Sequence, residues 1–435
     1  MKLINLVPLL FAITVPVAQS LAQSAAGDSL TREDAIRLAL QNSPVIRQAQ
    51  ENAEAARARI GSSRSYRSPE FSISGTYARL DPVSSITEGG SSLELYPHNN
   101  YDFHLDLRWM IYDFNKTAKS IKLAESGYKE AGDNIDRIRY NVAYQMMSMF
   151  DAILILHQTI SVIDEQIDAL EQHLDVTIRK IQAGTATDYD SLTTRVRIAV
   201  AQNRRIDALD ALSTQEILFR QSAGLGADKP INLSGAFAPV ATLPDVDSAL
   251  TVAGNNRSEL LLARDAENAA IARMQLESLG DKPFLALDAM AGLKNGYFPN
   301  LNDPKANSVV GLSLQIPIFN GHRTRFNEKE AEANLNSARA HTADIERQIE
   351  SEVRQAIEGV KSSSEKLKSS DIQIQQAEMA VQMAKSRYEA GVATNLDLID
   401  AETSLSETRL IRLRAQYNYT TSLNALDRST GKKIW

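Results

Sequence analysis

The 435-residue chain contains no cysteine, which excludes a disulfide framework, a thiolate metal site and a lipidated cysteine behind a leader. Aromatic residues supply only 6% of it. That is little for a conventional globular core of this size, so burial falls to thin layers of aliphatic and small side chains. The six histidines (98, 104, 157, 173, 322 and 341) are scattered without metal-ligand spacing. There is no GxSxG, HExxH or Walker loop, Gly224 and Gly226 do not continue to a third glycine, and the SxxK at Ser363–Lys366 lies inside a heptad pattern. The expectation is a protein that is not an enzyme and has no cofactor or metal. The formal charge of −7, from 47 Lys+Arg against 54 Asp+Glu, comes without a basic block. Nucleic acid is therefore not an expected partner. Past the N-terminus, no run reaches the roughly 18 consecutive apolar residues of a membrane-spanning helix.

What is present starts with a leader. Met1 and Lys2 precede an apolar stretch from Leu3 to about Ala18, and Ser20 and Ala22 are placed for cleavage after Ala22. Residues 1–22 read as a secretory signal peptide.

The rest of the chain says the same thing twice. The segment ending AGTATDYD recurs as AGVATNLD, pairing Gly184 with Gly391, Thr187 with Thr394 and Asp190 with Asp397 at a constant offset of 207 residues. Ile111, Tyr112 and Asp113 match Ile318, Phe319 and Asn320 at the same offset, while the segment from Pro69 matches that from Pro283 at 214. A repeat this long is a duplicated half. The expected division is a first repeat over 23–224, an irregular linker over 225–256 containing Pro230, Pro239 and Pro244, and a second repeat over 257–435.

Apolar residues recur every seven positions at Met146, Ile153, Ile160, Ile167, Leu174 and Ile181, and again at Val353, Val360, Leu367, Ile374, Val381 and Tyr388. Sustained heptads mark supercoiled helices. Long helices are expected over about 115–182 and 322–389, with return helices over 187–223 and 394–429. A rod of that length spans about 100 Å. Each return helix is about half as long as its partner, so the helical patterns from Arg32 to about Arg64 and from Arg257 to about Leu279 are expected to stack end to end with them. Small residues at Ala356, Ser363, Ser370, Ala377 and Ala384 suit close helix packing. Periodicity alone is satisfied equally by a hairpin coiled coil and by a barrel of many helices.

Four segments alternate with period two. In the clearest, Phe103, Leu105, Leu107, Trp109 and Ile111 share one face and Asp102, His104, Asp106 and Arg108 the other. Strands are expected at about 69–80, 101–113, 283–293 and 308–319. Each is about the length that crosses a bilayer when tilted. A small soluble sheet is the alternative, but the apolar faces have no obvious covering helix. If they face lipid, four strands cannot close a barrel and exposed edges are not tolerated there. Strands must then be pooled between copies, and three copies would supply twelve. The long polar loop Asp81–Asn100 and the shorter Phe298–Asn307 would lie outside the cell.

The helix-hairpin turns read (Lys/Arg)-x-x-Ala-Gly-x-Ala-Thr-x-x-Asp, with Gly184 and Gly391 as left-handed helix ends and Thr187/Asp190 and Thr394/Asp397 as capping boxes. Asp400 follows Asp397 on the same helix face. In a trimer these give six carboxylates that could ring a pore, each raising the others' pKa; a solvated, dipole-complementing first turn is the plainer account.

The duplicated halves, the opening LTREDAIRLALQNSP from Leu30 to Pro44, RSELLLARDAENAA from Arg257, the strand ends IYDFN and IPIFN, and the two AG-x-AT-x-x-D turns together resemble the TolC-type outer-membrane efflux factors. The resemblance implies a mainly α chain with a share of a membrane β-barrel: a homotrimer whose twelve-stranded barrel crosses the outer membrane and whose α-barrel crosses the periplasm. Implied partners are outer-membrane lipid, a periplasmic adaptor and an inner-membrane pump. By the same resemblance Asp397 and Asp400 are the aperture carboxylates, Asp190 and Tyr388 form a gate link, and the tips Ala183, Gly184, Thr185, Ala390, Gly391 and Val392 meet the adaptor. The arginine expected two residues after the second tip glycine is Ala393 here, so a looser or differently held gate is expected. The function implied is the channel of a tripartite efflux system. The alternatives are a type I protein-secretion channel and a soluble periplasmic coiled-coil scaffold.

Overall fold

The computed structural model describes residues 29–435; the signal peptide assigned to residues 1–22 lies outside them. The first described helix pattern is not one helix. It divides into α1 (Arg32–Asn42) and α2 (Pro44–Ser65), with Ser43 capping α2 and Pro44 at its first turn. Proline is tolerated there because that N–H would have no partner anyway. Strand β1 (Glu70–Arg79) follows. The connecting loop is not irregular throughout: it holds a small hairpin, β2 (Ser85–Glu88) and β3 (Ser91–Glu94), before β4 (Asn99–Tyr112). The first half ends with α3 (Lys116–Gln182) and α4 (Asp188–Ala223).

The second half begins inside the expected linker, which is corrected accordingly. Helix α5 (Val246–Asn256) precedes α6 (Ser258–Glu277), and both stand 214 residues after α1 and α2. Then come β5 (Phe284–Lys294), β6 (Lys305–Gln315), α7 (Arg323–Glu389) and α8 (Asn395–Ser429). Strand β6 stops short of the expected end at 319. Pro317 has no N–H for a ladder, and Ile318 is left fully outside the sheet, 95% exposed.

The four long strands form one antiparallel sheet in the order β1-β4-β5-β6. Odd positions of β4 align with apolar partners: Leu105 sits between Ile73 and Ala291, and Leu107 between Phe71 and Ala289. This face is bare in the single chain, with Ile73 69%, Phe103 57% and Val310 74% exposed. The even face is a network of charge. His104 bridges Asp102 (2.9 Å) and Asp106 (3.3 Å), Lys294 reaches Asp102 (3.2 Å), and Arg108 reaches Asp288 (3.2 Å). A sheet wet on one face and apolar on the other, with none of the described residues covering the apolar face, is the pattern of a lipid-facing barrel wall.

Below the sheet, α3 packs on α2 and α6, and α6 on α7; farther down α3 packs on α4 and α8, and α8 on α7. Helix α4 ends where α1 ends, Asn42 Nδ2 donating to the Ala223 carbonyl at 2.8 Å. The second repeat does the same with Arg257, whose Nη1 donates to the Ser429 carbonyl at 3.2 Å. The breaks at Ser43 and Arg257 are thus the points where two half-length helices meet end to end alongside one long one. Helix α3 is the one described helix with an 18-residue window apolar enough to span a bilayer by composition. Its Met146, Phe150 and Ile153 are buried in a cluster with Ile36, Leu212 and Phe219 from α1 and α4, so that surface faces protein.

Candidate functional site

Both long helices end in the same way. At the first tip the Gly184 N–H donates to Ile181 O and the Thr185 N–H to Lys180 O, and at the second Gly391 donates to Tyr388 O and Val392 to Arg387 O. These are Schellman-type closures, and they require the positive φ of Gly184 (74°) and Gly391 (72°). The tip residues Ala183, Gly184, Thr185, Ala390, Gly391 and Val392 are all exposed. The Ala393 N–H also donates to Arg387 O, at 3.2 Å.

The return helices start on matched capping boxes. Asp190 Oδ2 accepts from the Thr187 N–H (2.9 Å) and hydroxyl (2.7 Å), and Asp397 Oδ2 accepts from the Thr394 N–H and hydroxyl, both at 2.8 Å. The backbone N–H of Thr394, and then its hydroxyl, hold the Asp397 carboxyl below the usual carboxylate range. Within the single chain the cap bonds favour the charged form. Replacing Thr394 with alanine should cost about 0.5–2 kcal/mol of stability and let the Asp397 pKa rise. Thermal melts and carboxyl-resolved NMR titration of the variant check both.

Asp190 and Tyr388 stand at one cluster, Asp190 reaching it through its carbonyl to Asn395 Nδ2 (3.4 Å) and Tyr388 through its ring beside His173. Asp190 is committed to its own cap, and among the described hydrogen bonds none joins it to Tyr388. Asp400 on α8 pairs with Arg197 of α4 at 3.1 Å. Tyr388, 9% exposed, lies with its ring under Lys180 Nζ (3.6 Å) and beside His173 (ring centroids 5.5 Å apart). Arg197 and Asn395 carry no motif in the sequence, and His173 stands there only as one of six scattered histidines. The one available signal was a histidine among the buried positions Ile163, Ile167, Leu170 and Thr177 of α3.

The seams between the lower helices differ in kind. Within each hairpin the contacts are apolar heptads, as in the cluster of Ile163, Ile167, Leu170, Ile198 and Ala201, which also takes in Ile399 of α8 from the other hairpin. Each hairpin also carries one equivalent ion pair, Arg205–Asp164 and Arg412–Asp371, both 2.6 Å. Between the hairpins, buried Ile399 and the cluster of Leu154 and Leu413 are joined by polar contacts: Ser406 to Gln166 (3.0 Å), Arg409 to Glu165 (2.9 Å), Arg204 to Glu407 (3.6 Å) and Arg197 to Asp400. Exposed ion pairs contribute about 0–1 kcal/mol each, so the ion pairs add little to this seam beside its buried contacts. Among the described residues there is no cluster of three or more His, Cys, Asp or Glu side chains suited to a metal.

Comparison with known proteins accounts for this architecture. The family model described as outer membrane efflux protein matches residues 35–225 and 249–432. The alkaline protease secretion protein AprF of Pseudomonas aeruginosa is 24% identical over 402 residues, covering 89% of this chain and 82% of AprF. The outer membrane protein TolC of Escherichia coli K12 is 21% identical over 440 residues, covering 95% of this chain and 84% of TolC. The crystal structure of the outer membrane protein VceC of Vibrio cholerae superposes with a TM-score of 0.76 at 19% identity, over 92% of this chain and 96% of that one. With long helices that continue a four-stranded sheet and fold back at capped tips, the chain belongs to the outer membrane efflux protein family, and is an outer-membrane channel protein extending into the periplasm.

Proposed function

We propose that three copies of this chain form the outer-membrane duct of a tripartite efflux system, fed by an inner-membrane pump through a periplasmic adaptor. The observation that carries the reading is the pair of mismatched edges. One edge of the chain is β1, α2 and α4; the other is β6 and α7 along the whole length. Edges of different composition join head to tail, and a head-to-tail contact whose rotation closes makes a ring. Three four-stranded sheets then make a twelve-stranded barrel without free edges. Phe103, Leu105, Leu107, Trp109 and Ile111 form its lipid face, and the His104 network lines its lumen. At the far end, Asp397 and Asp400 ring the aperture, with Asp190 and Tyr388 behind them. The exposed tips Ala183–Thr185 and Ala390–Val392 are the adaptor's docking points.

A protein-secretion channel is the second reading. The similarity to AprF, a protease secretion protein, specifically favours it.

The mass of the protein extracted from outer membranes, corrected for detergent, tests the duct. A stable trimer that conducts in planar bilayers is the expected result. A detergent-independent monomer or dimer would overturn it and leave a periplasmic coiled-coil scaffold.

A further inference from the structure

The side chain of His173 is the meeting point of all four lower helices. It is 6% exposed, and its Nε2 is hydrogen-bonded to Asn395 Oδ1 at the start of α8. Thr177, one turn along α3, places Oγ1 at 3.5 Å from both of those atoms. From the other side of Asn395, Nδ2 donates to the Asp190 carbonyl of α4 at 3.4 Å. The Tyr388 ring of α7 closes the cage, capped by Lys180. Farther along α8 from the tip, about one turn past Ile399, lies Glu402, whose Oε2 is buried without a hydrogen-bond partner among the described residues. Burial pushes the Glu402 carboxyl up, against the opposing pull of His173 and Lys385.

We infer that the His173–Asn395 bond is the latch that holds the two tip hairpins of one protomer together, in place of a link between Asp190 and Tyr388. This rests on the channel reading above. The ion pairs elsewhere in the inter-hairpin seam are exposed and exchange readily with water. The His173 contact is a buried polar contact at the tip end of that seam, and separating its partners leaves an imidazole and an amide unpaired until water reaches them. A bond of this kind makes the seam two-state: closed when both groups are dry, open when both are wet. His173 is a positioning residue, since it acts by fixing α8 and its carboxylates.

The test compares resting single-channel conductance of the wild-type trimer with His173→Leu, His173→Gln and Asn395→Leu trimers. Leucine at 173 keeps the volume and removes the bond. It should raise the resting open fraction about tenfold, the shift of one buried hydrogen bond. Glutamine can still donate to Asn395 Oδ1 and should return the channel to the wild-type level, a rescue that a merely space-filling role would not produce. If His173→Leu does not assemble, Asn395→Leu carries the same comparison from the other side. Inserted trimers with equal resting conductance in wild type and leucine variants overturn the latch and leave the channel reading intact. Failure of every protein to insert and conduct overturns the channel reading itself.

Discussion

Asp151→Ala is expected to lower the stability of the folded protein by about 3 kcal/mol, in the range for breaking a buried ion pair by removing one partner. Asp151 is 0% exposed on α3. Its Oδ1 accepts from Arg32 of α1, and its Oδ2 accepts from Asn424 of α8 at 2.7 Å. One carboxylate therefore joins the N-terminal helix, the long helix of the first half and the return helix of the second. Removing it strands a guanidinium and an amide together, though Arg32 keeps 24% of its side chain in solvent, which limits the loss. Burial pushes the Asp151 carboxyl up, opposed by Arg32 and Asn424. The sign follows: the folded state holds this proton more tightly than the unfolded chain, so the group favours folding at low pH, and that contribution is lost as pH rises through the folded value. Asp151→Asn, which keeps an acceptor for Arg32 without the buried charge, should accordingly lose much less than the alanine variant. Thermal melts of the three proteins in one detergent decide it. Equal losses for Asn and Ala would show that the charge, rather than the hydrogen bonding, holds the junction.

Leu105→Arg should abolish or severely reduce membrane-inserted trimer, because a charge on the lipid face of a barrel strand costs about 2–4 kcal/mol at mid-bilayer. The cost is incurred once per chain, three times in the assembled ring. Leu105 is flanked by Ile73 and Ala291 on the outward row. Thr76 lies on the other face, opposite Asp102. Thr76→Arg therefore serves as the matched control and should insert normally. Heat-modifiable trimer in outer-membrane fractions reads both variants. Loss of trimer in Thr76→Arg with retention in Leu105→Arg would invert the assignment of the faces.

Much of this fold was legible in the sequence for physical reasons. Period-two alternation across Phe103–Ile111 fixes a strand and its faces, and seven-residue recurrence from Met146 to Ile181 fixes a supercoiled helix. The turn chemistry of Gly184 and Gly391 sets the helix ends to within a residue. What escaped was decided by tertiary contact. The break at Ser43–Pro44 was spelled out in the residues, but the helical pattern on either side concealed it. Its reason, the arrival of the α4 end at Asn42, is long-range. Helix α5 was hidden among the prolines of the linker, although Val246 is the repeat of Arg32. Thr187 and Thr394 were legible as the capping partners of Asp190 and Asp397, but the partner of Asp400 was not, because Arg197 comes to it from another helix. A lone histidine on α3 carries no motif, so the cage around it could be seen only once four helices were placed.

The two long helices, α3 and α7, are both 67 residues. They leave equivalent strands and run to equivalent turns, so they work as a pair of matched rulers. The change of repeat offset from 214 to 207 falls between β1 and β4, in the loop at the opposite end of the sheet from the helices, and leaves both rulers uncut. In a closed ring the six helix ends are therefore level, and a flat rim can be gripped all round at once. Removing one heptad from α7 alone, with its complement from α8, would raise every second end by about 10 Å. Such a rim would be notched rather than flat, and an adaptor ring could seat on only half of it. Shortening all the rods equally would keep the rim level and change only the width of periplasm it spans.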